Sequence, residues 1–160
     1  MSFSQKVRSI STTQSRYERR LGVAGELVLA AAVPLFQISG GPILVTGCYG
    51  KVTTAFAVAA TTVQLQITPV GGIAQNLSAA SGNLTGAVIN TTLAPTGALA
   101  VAITIEVTFG ATFGLALTNQ WLLIPGVITE LVGGATNNAG VLNWTIIYTP
   151  LSRAANVVAL

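Results

Sequence analysis

A strict alternation of apolar and polar side chains in residues 62–68 is the feature that most restricts the fold. Val63, Leu65 and Ile67 share one parity, and threonine or glutamine occupies each position between them. Successive side chains of a β-strand point to opposite faces of the sheet. This segment therefore predicts a half-buried strand with one face on the core and one polar face.

The preceding segment, residues 52–58, has Val52, Phe56 and Val58 on one parity and predicts a second strand. The link of residues 59–61 between the two segments is short enough to reverse the chain. The sequence therefore predicts an antiparallel hairpin formed by residues 52–58 and 62–68.

Comparable patterns recur along the chain and predict seven to nine strands, with no convincing amphipathic helix. Residues 73–97 predict a loop region with at most two weak strands, because they are small and almost uncharged. Regularly spaced short strands are typical of an antiparallel β-sandwich or barrel, and we expect an all-β fold of this kind that is jelly-roll-like. The further predicted strands lie within residues 26–39 (interrupted at Pro34), 43–46, 101–109, 113–117, 121–124, 127–132 and 142–148.

The first 25 residues differ in composition and predict a basic extended arm ahead of a single β-sandwich domain of residues 26–160. A capping pattern within residues 15–21 predicts one helical turn in this arm. From their composition, the basic side chains of the arm are expected to be solvated or to lie at an interface, where a neighbouring subunit or a larger lattice is the candidate contact. Nucleic acid is an alternative partner, which so few charges interspersed with polar residues do not favour. These basic residues are Lys6, Arg8, Arg16, Arg19 and Arg20.

Charged residues make up only 7% of the chain, while 51% are hydrophobic. A typical domain is about 25% charged, and depletion of charge marks the cores of protein interfaces. The composition therefore predicts a permanent oligomer or a subunit docked on a larger lattice. No membrane partner is expected, because the most apolar run, residues 27–38, is shorter than the roughly 20 residues that span a bilayer.

Catalytic chemistry is not expected, because the chain has no histidine and no aspartate. Glu106 and Glu130 are placed by the pattern on the polar faces of strands, as solvated residues or partners for Lys51 or Arg153. The single Cys48 predicts a small buried side chain, and neither a zinc site nor any other metal or cofactor site is expected. The alternation around Trp144 places that residue in the core.

Three segments of the chain carry a family resemblance, namely GGPILV at residues 40–45, YGKVTT at 49–54 and GVLNWTIIYTPL at 140–151. They resemble small virion proteins of tailed bacteriophages, the auxiliary or decoration (cement) proteins of the capsid. The resemblance covers most of residues 36–155, excludes the arm, and supplies no active-site residue. It implies a β-rich protein that forms trimers or other small oligomers, binds the major capsid protein, contacts the shell or a neighbouring subunit through its arm, and strengthens the shell of the virion, which is assembled in the host cytoplasm.

The sequence thus favours a non-enzymatic capsid decoration subunit. One alternative is a coat protein with a jelly-roll shell domain and an arm facing nucleic acid. A second is a receptor-binding module of a tail or fibre that uses the loop region of residues 73–97.

Overall fold

A computed structural model of the chain describes residues 14–28, 30–57, 60–106, 116–136 and 139–160. Within these ranges the protein consists of strands joined by turns and loops, without a helix. The strands are β1 (Arg16–Arg20), β2 (Ala32–Ser39), β3 (Ile43–Thr54), β4 (Thr61–Pro69), β5 (Gln75–Asn76), β6 (Thr92–Ala94), β7 (Thr104–Glu106), β8 (Ala116–Leu123), β9 (Gly126–Gly134), β10 (Val141–Pro150) and β11 (Asn156–Ala159).

The strands form two packed antiparallel sheets. The first sheet has the order β1, β10, β3, β6, β7, with β8 also paired to β3, and the second has the order β11, β2, β9, β4, β5. Each sheet ends in an edge strand, so the protein is a sandwich and not a closed barrel. The predicted all-β antiparallel sandwich is confirmed.

Strand β3 is the central element of the first sheet. One side pairs with β10 from Ile43 to Thr54, over almost the whole of both strands. The other side is shared, because β8 pairs with residues 43–47 and β6 pairs with Gly50 and Lys51. This arrangement leaves β8 and β6 in line along the same flank of β3.

The predicted hairpin of residues 52–58 and 62–68 is wrong. The first segment ends β3 in the first sheet, whereas the second is β4, which pairs with β9 in the other sheet. Phe56 lies just beyond β3 and is 4% exposed, so its ring is buried as the chain leaves the first sheet. Consecutive strands β3 and β4 therefore belong to different layers, while residues 58 and 59 of the predicted hairpin lie outside the described residues.

The hydrophobic core lies between the sheets and is formed by alternate residues of the long strands. Val63, Leu65 and Ile67 of β4 contribute from one layer, and Trp144 and Ile146 of β10 contribute from the other. The alternation that predicted these strands therefore also predicted their buried faces. Burial of such side chains stabilises the fold by roughly 25 cal/mol per Å² of apolar surface.

Glycine at position 50 leaves room for the indole ring of Trp144. The two residues are directly paired, and a Cβ on Gly50 would lie 3.1 Å from the indole ring. A register shift lies between the Ile147–Gly47 pair and the Tyr148–Val45 pair. The two glycines of β3 thus mark a close approach of side chain to backbone at position 50 and an irregularity of the ladder at position 47.

Several predicted boundaries differ from the structure. Residues 16–20 form β1, which pairs with β10, so the predicted helical turn there is wrong. Within the predicted strand 101–109, only Thr104–Glu106 is a strand and Val101 is 45% exposed, while residues 107–110 lie outside the described ranges. The eleven described strands exceed the predicted seven to nine, and β11 at residues 156–159 was not predicted.

Candidate interaction surfaces

The glutamate predicted on the polar face of β9 is buried, which corrects the sequence-based placement. Glu130 is 1% exposed and shares its face with Ile128 and Val132, both of which belong to the core. Its Oε2 accepts a hydrogen bond of 3.0 Å from the indole Nε1 of Trp144, which belongs to the opposite sheet. This bond joins the two layers through the centre of the sandwich.

Burial raises the pKa of Glu130 to about 7, while the hydrogen bond from Trp144 and the positive charge of Arg20 oppose this shift. The second carboxyl oxygen, Oε1, is buried without a hydrogen-bond partner among the described residues. An unpartnered buried oxygen disfavours the charged carboxylate. Glu130 is therefore suited to packing as a neutral acid.

Glu106 does not join Glu130, because the sheet separates the two. The register places Glu106 opposite Thr92, which in turn lies opposite the exposed Lys51 on the outer face. Glu130 instead points between the sheets. The structure therefore does not bring the two carboxylates together as an acid-base pair.

Arg20 of the predicted basic arm forms a buried ion pair. It is 6% exposed, and its guanidinium forms a two-bond pair with Glu26, in which Nη1 donates to Oε2 at 2.6 Å. Its Nε donates to the backbone oxygen of Leu160 at 3.2 Å. Arg20 thus connects the edge strand β1 to the loop that follows it and to the end of β11.

The other basic arm residues have different environments. Arg16 and Arg19 are exposed on β1, and Arg20 lies inside the sandwich. Lys6 and Arg8 lie outside the described residues. Among the predicted contact residues that the structure describes, Arg16 and Arg19 are thus accessible to a partner, whereas Arg20 is committed to its intramolecular pair.

A largely apolar groove lies between the two sheets, and we call it the apolar groove. It has a volume of about 450 Å³ and lies between β4 and β5 of one sheet and β8 with residues 97–99 of the other. Its floor includes Ile67, Leu77, Trp121 and Leu123, and its rim includes Leu99, Leu122 and Ile124.

The rim of the apolar groove exposes large hydrophobic side chains to solvent. Leu122 is 66% exposed, Leu99 60% and Ile124 53%. Val70 and Ile73 in the β4–β5 turn are also exposed but do not line the groove, and the amide of Val70 donates to the carbonyl of Pro125, next to Ile124. None of the described residues that line this groove is charged. A surface of this kind is typical of a protein-protein interface.

Sequence reasoning did not identify the apolar groove, although a signal was present. Residues 121–124 are Trp-Leu-Leu-Ile, so both faces of the end of β8 are apolar. A strand with one face on solvent shows alternation. The loss of alternation is thus the sequence signal that the outer face of this strand is apolar as well.

The described part of the chain contains no group of three or more histidine, cysteine, aspartate or glutamate residues that could hold a metal ion. Cys48 is buried as predicted, and burial raises the pKa of its thiol to about 12. Among the described residues, no helix is long and apolar enough to cross a membrane.

Comparison with protein families, characterised proteins and solved structures yields no match to this chain. The β-sandwich is therefore the class that the structure defines, and function has to be argued from the surfaces described above.

Proposed function

We propose that this chain is a structural virion subunit that decorates a capsid shell and assembles with copies of itself through the apolar groove. The observation that carries the proposal is the exposed, uncharged rim formed by Leu99, Leu122 and Ile124. Side chains of this kind gain free energy when a partner covers them. The resemblance to phage decoration proteins supplies the biological setting.

A second copy is the occupant that the charge distribution favours for the apolar groove. From residue 27 onward, the chain has only Lys51, Glu106, Glu130 and Arg153 as ionisable acidic or basic residues, and none of these four lines the groove. Two copies that meet at uncharged surfaces bring no like charges together at the contact. Copies of this sandwich therefore have an apolar contact surface without a local charge barrier to packing.

Burial of the apolar groove between copies also suggests how the chain could stabilise a capsid shell. A decoration subunit acts by adding contacts between neighbouring positions of the lattice, and apolar burial supplies roughly 25 cal/mol per Å² before the cost of association. An oligomer that hides its apolar grooves still presents the outer sheet faces and the exposed arginines of β1 to the major capsid protein.

The direct test is quantitative mass spectrometry of purified virus particles, which counts copies of this chain relative to the major shell protein. We expect a ratio near one or a simple fraction of one. A handful of copies per particle would instead support the tail or fibre receptor-binding alternative, and a finding that this chain itself is the major shell protein would support the coat-protein alternative. Absence from particles would overturn the virion assignment.

A further inference from the structure

A small basic pocket lies on the outer face of the first sheet, away from the apolar groove. It has a volume of about 200 Å³ and is lined by Arg19 of β1, Asn143 and Thr145 of β10, and Tyr49 and Lys51 of β3. We call it the basic pocket. We propose that the basic pocket binds a single oxyanion group, a phosphate or a carboxylate, and this inference does not depend on the virion assignment.

The strand register brings the hydrogen-bond donors of the pocket together. Arg19 lies opposite Thr145, which lies opposite Tyr49, so these three form one row across three strands. Asn143 lies opposite Lys51 in a neighbouring row on the same face. Directly opposed side chains of antiparallel strands lie about 5 Å apart. The five side chains therefore surround one concave site.

The floor of the basic pocket is fixed by packing and by a hydrogen bond. Asn143 and Thr145 are each 8% exposed. The Oδ1 of Asn143 accepts a 2.8 Å hydrogen bond from the backbone amide of Gly22, which assigns the two ends of the side-chain amide. Its Nδ2 group is consequently left as a donor, in keeping with the other donors around the site.

Neither cation of the basic pocket forms an ion pair within the part of the chain that the structure describes. The ion pair found in the described residues joins Arg20 to Glu26 and involves neither Arg19 nor Lys51. Glu18 lies on the opposite face of β1 from Arg19, and Glu106 is two strands away from Lys51. Two of the seven basic residues of the chain thus flank a polar floor. None of the described residues that line this floor is a carboxylate.

The chemistry of these groups matches an oxyanion. A guanidinium offers a planar pair of N–H donors to a carboxylate or phosphate, and an ammonium adds a point charge. The hydroxyls of Tyr49 and Thr145 can donate to the remaining oxygens. The small volume suits one anionic group, supplied either as a free anion or by an acidic side chain of another polypeptide.

The test is a titration of the isotope-labelled full chain with potassium phosphate at constant ionic strength, followed by NMR at the amides of Arg19 and Thr145. We expect saturable shifts that Arg19→Gln and Lys51→Gln each weaken about tenfold, because each removes a charged hydrogen-bond donor. Arg153→Gln removes an exposed cation outside the pocket and serves as the matched control. A parallel titration with a short polyglutamate peptide distinguishes a free anion from an acidic side chain as the source.

Saturation by phosphate, by the peptide or by both supports the oxyanion site and identifies its source. Shifts that grow linearly as they do with potassium chloride, for both probes, would overturn it. Equal weakening by Arg153→Gln and Arg19→Gln would also overturn it, because binding would then reflect net charge alone. The proposed virion role would survive either failure, since that role is argued from the apolar groove and is tested separately by the copy number in particles.

Discussion

At the scale of single residues, Glu130 makes the stability of this sandwich depend on pH. Its pKa is about 7 in the folded state, compared with 4.5 for an ordinary glutamate. Between these values unfolding releases a proton, so the free energy of unfolding falls as pH rises through this window and levels off above pH 7. The expected loss is on the order of 3 kcal/mol.

Glu130→Gln should remove this dependence, because a neutral amide oxygen can still accept the hydrogen bond from Trp144. Urea denaturation between pH 5 and pH 8 should show a flatter profile for the variant and greater stability than the wild type at pH 8. Glu106→Gln, on the outer face, should retain the wild-type slope. A Glu130→Gln protein that loses stability with pH as steeply as the wild type would show that another group is responsible.

The wrong placement of Glu130 has a physical explanation. In the segment VITELV at residues 127–132, both parities contain apolar residues, so alternation alone does not decide which face is buried. Ile128 and Val132 share the parity of Glu130 and are buried with it. Because charged residues usually face solvent, Glu130 was assigned to the outer face, although the sequence pattern also allowed the inner one. The hydrogen bond that permits its burial comes from the indole N–H of Trp144 in the other sheet, which the local sequence does not reveal.

At the scale of elements, the edge strand β1 is held in the sandwich by Arg20. Arg20→Ala should destabilise the protein by about 1–3 kcal/mol, because it leaves Glu26 without its charged partner and removes the bond to Leu160. Chemical denaturation measures this loss. Arg19→Ala on the same strand is the matched control, since its side chain faces outward, and should change stability by less than about 0.5 kcal/mol. Equal losses in the two variants would contradict the role of the ion pair.

Elements with strong periodicity were predictable and edge strands were not. Strands β4 and β10 alternate clearly, and their buried faces follow from the sequence. Strand β1 reads Arg-Tyr-Glu-Arg-Arg, and it is a strand because its backbone pairs with β10 from Arg16 to Arg20. A strand that is held mainly by backbone hydrogen bonds to its neighbour needs no alternation of apolar side chains, so its sequence carries no hydrophobic pattern. For this reason the arm appeared separate from the domain although residues 16–20 belong to the first sheet.

At the scale of the whole molecule, the sites arise from strand order, which local pattern does not give. The apolar groove exists because β5 and β8 flank the same open side of the two sheets, although about forty residues separate them in the chain. The basic pocket likewise unites residues from three strands far apart in sequence. The composition predicted that the protein assembles, but the position of the proposed contact surface could be found only from the order of the strands in the sheets.

The proposed assembly leads to a prediction about the apolar groove as a contact between copies. The double variant Leu122→Gln, Ile124→Gln should fold normally, because both side chains are more than half exposed. Burying one such side chain at an interface contributes about 1.5–3 kcal/mol, so self-association should weaken at least tenfold. Sedimentation velocity across a concentration series measures this change in the isolated chain.

Val158→Gln provides the matched control for that experiment. Val158 is 48% exposed and lies on β11, at the opposite edge of the second sheet from β5. The Val158→Gln substitution removes a similar apolar side chain without altering the groove, so self-association should remain at the wild-type level. A wild-type chain that stays monomeric at high micromolar concentration, or a Val158→Gln chain that dissociates as readily as the groove variant, would contradict self-assembly through this surface. Because neither result depends on virus particles, the contact between copies can fail while the virion assignment stands, and the two parts of the proposal can be judged separately.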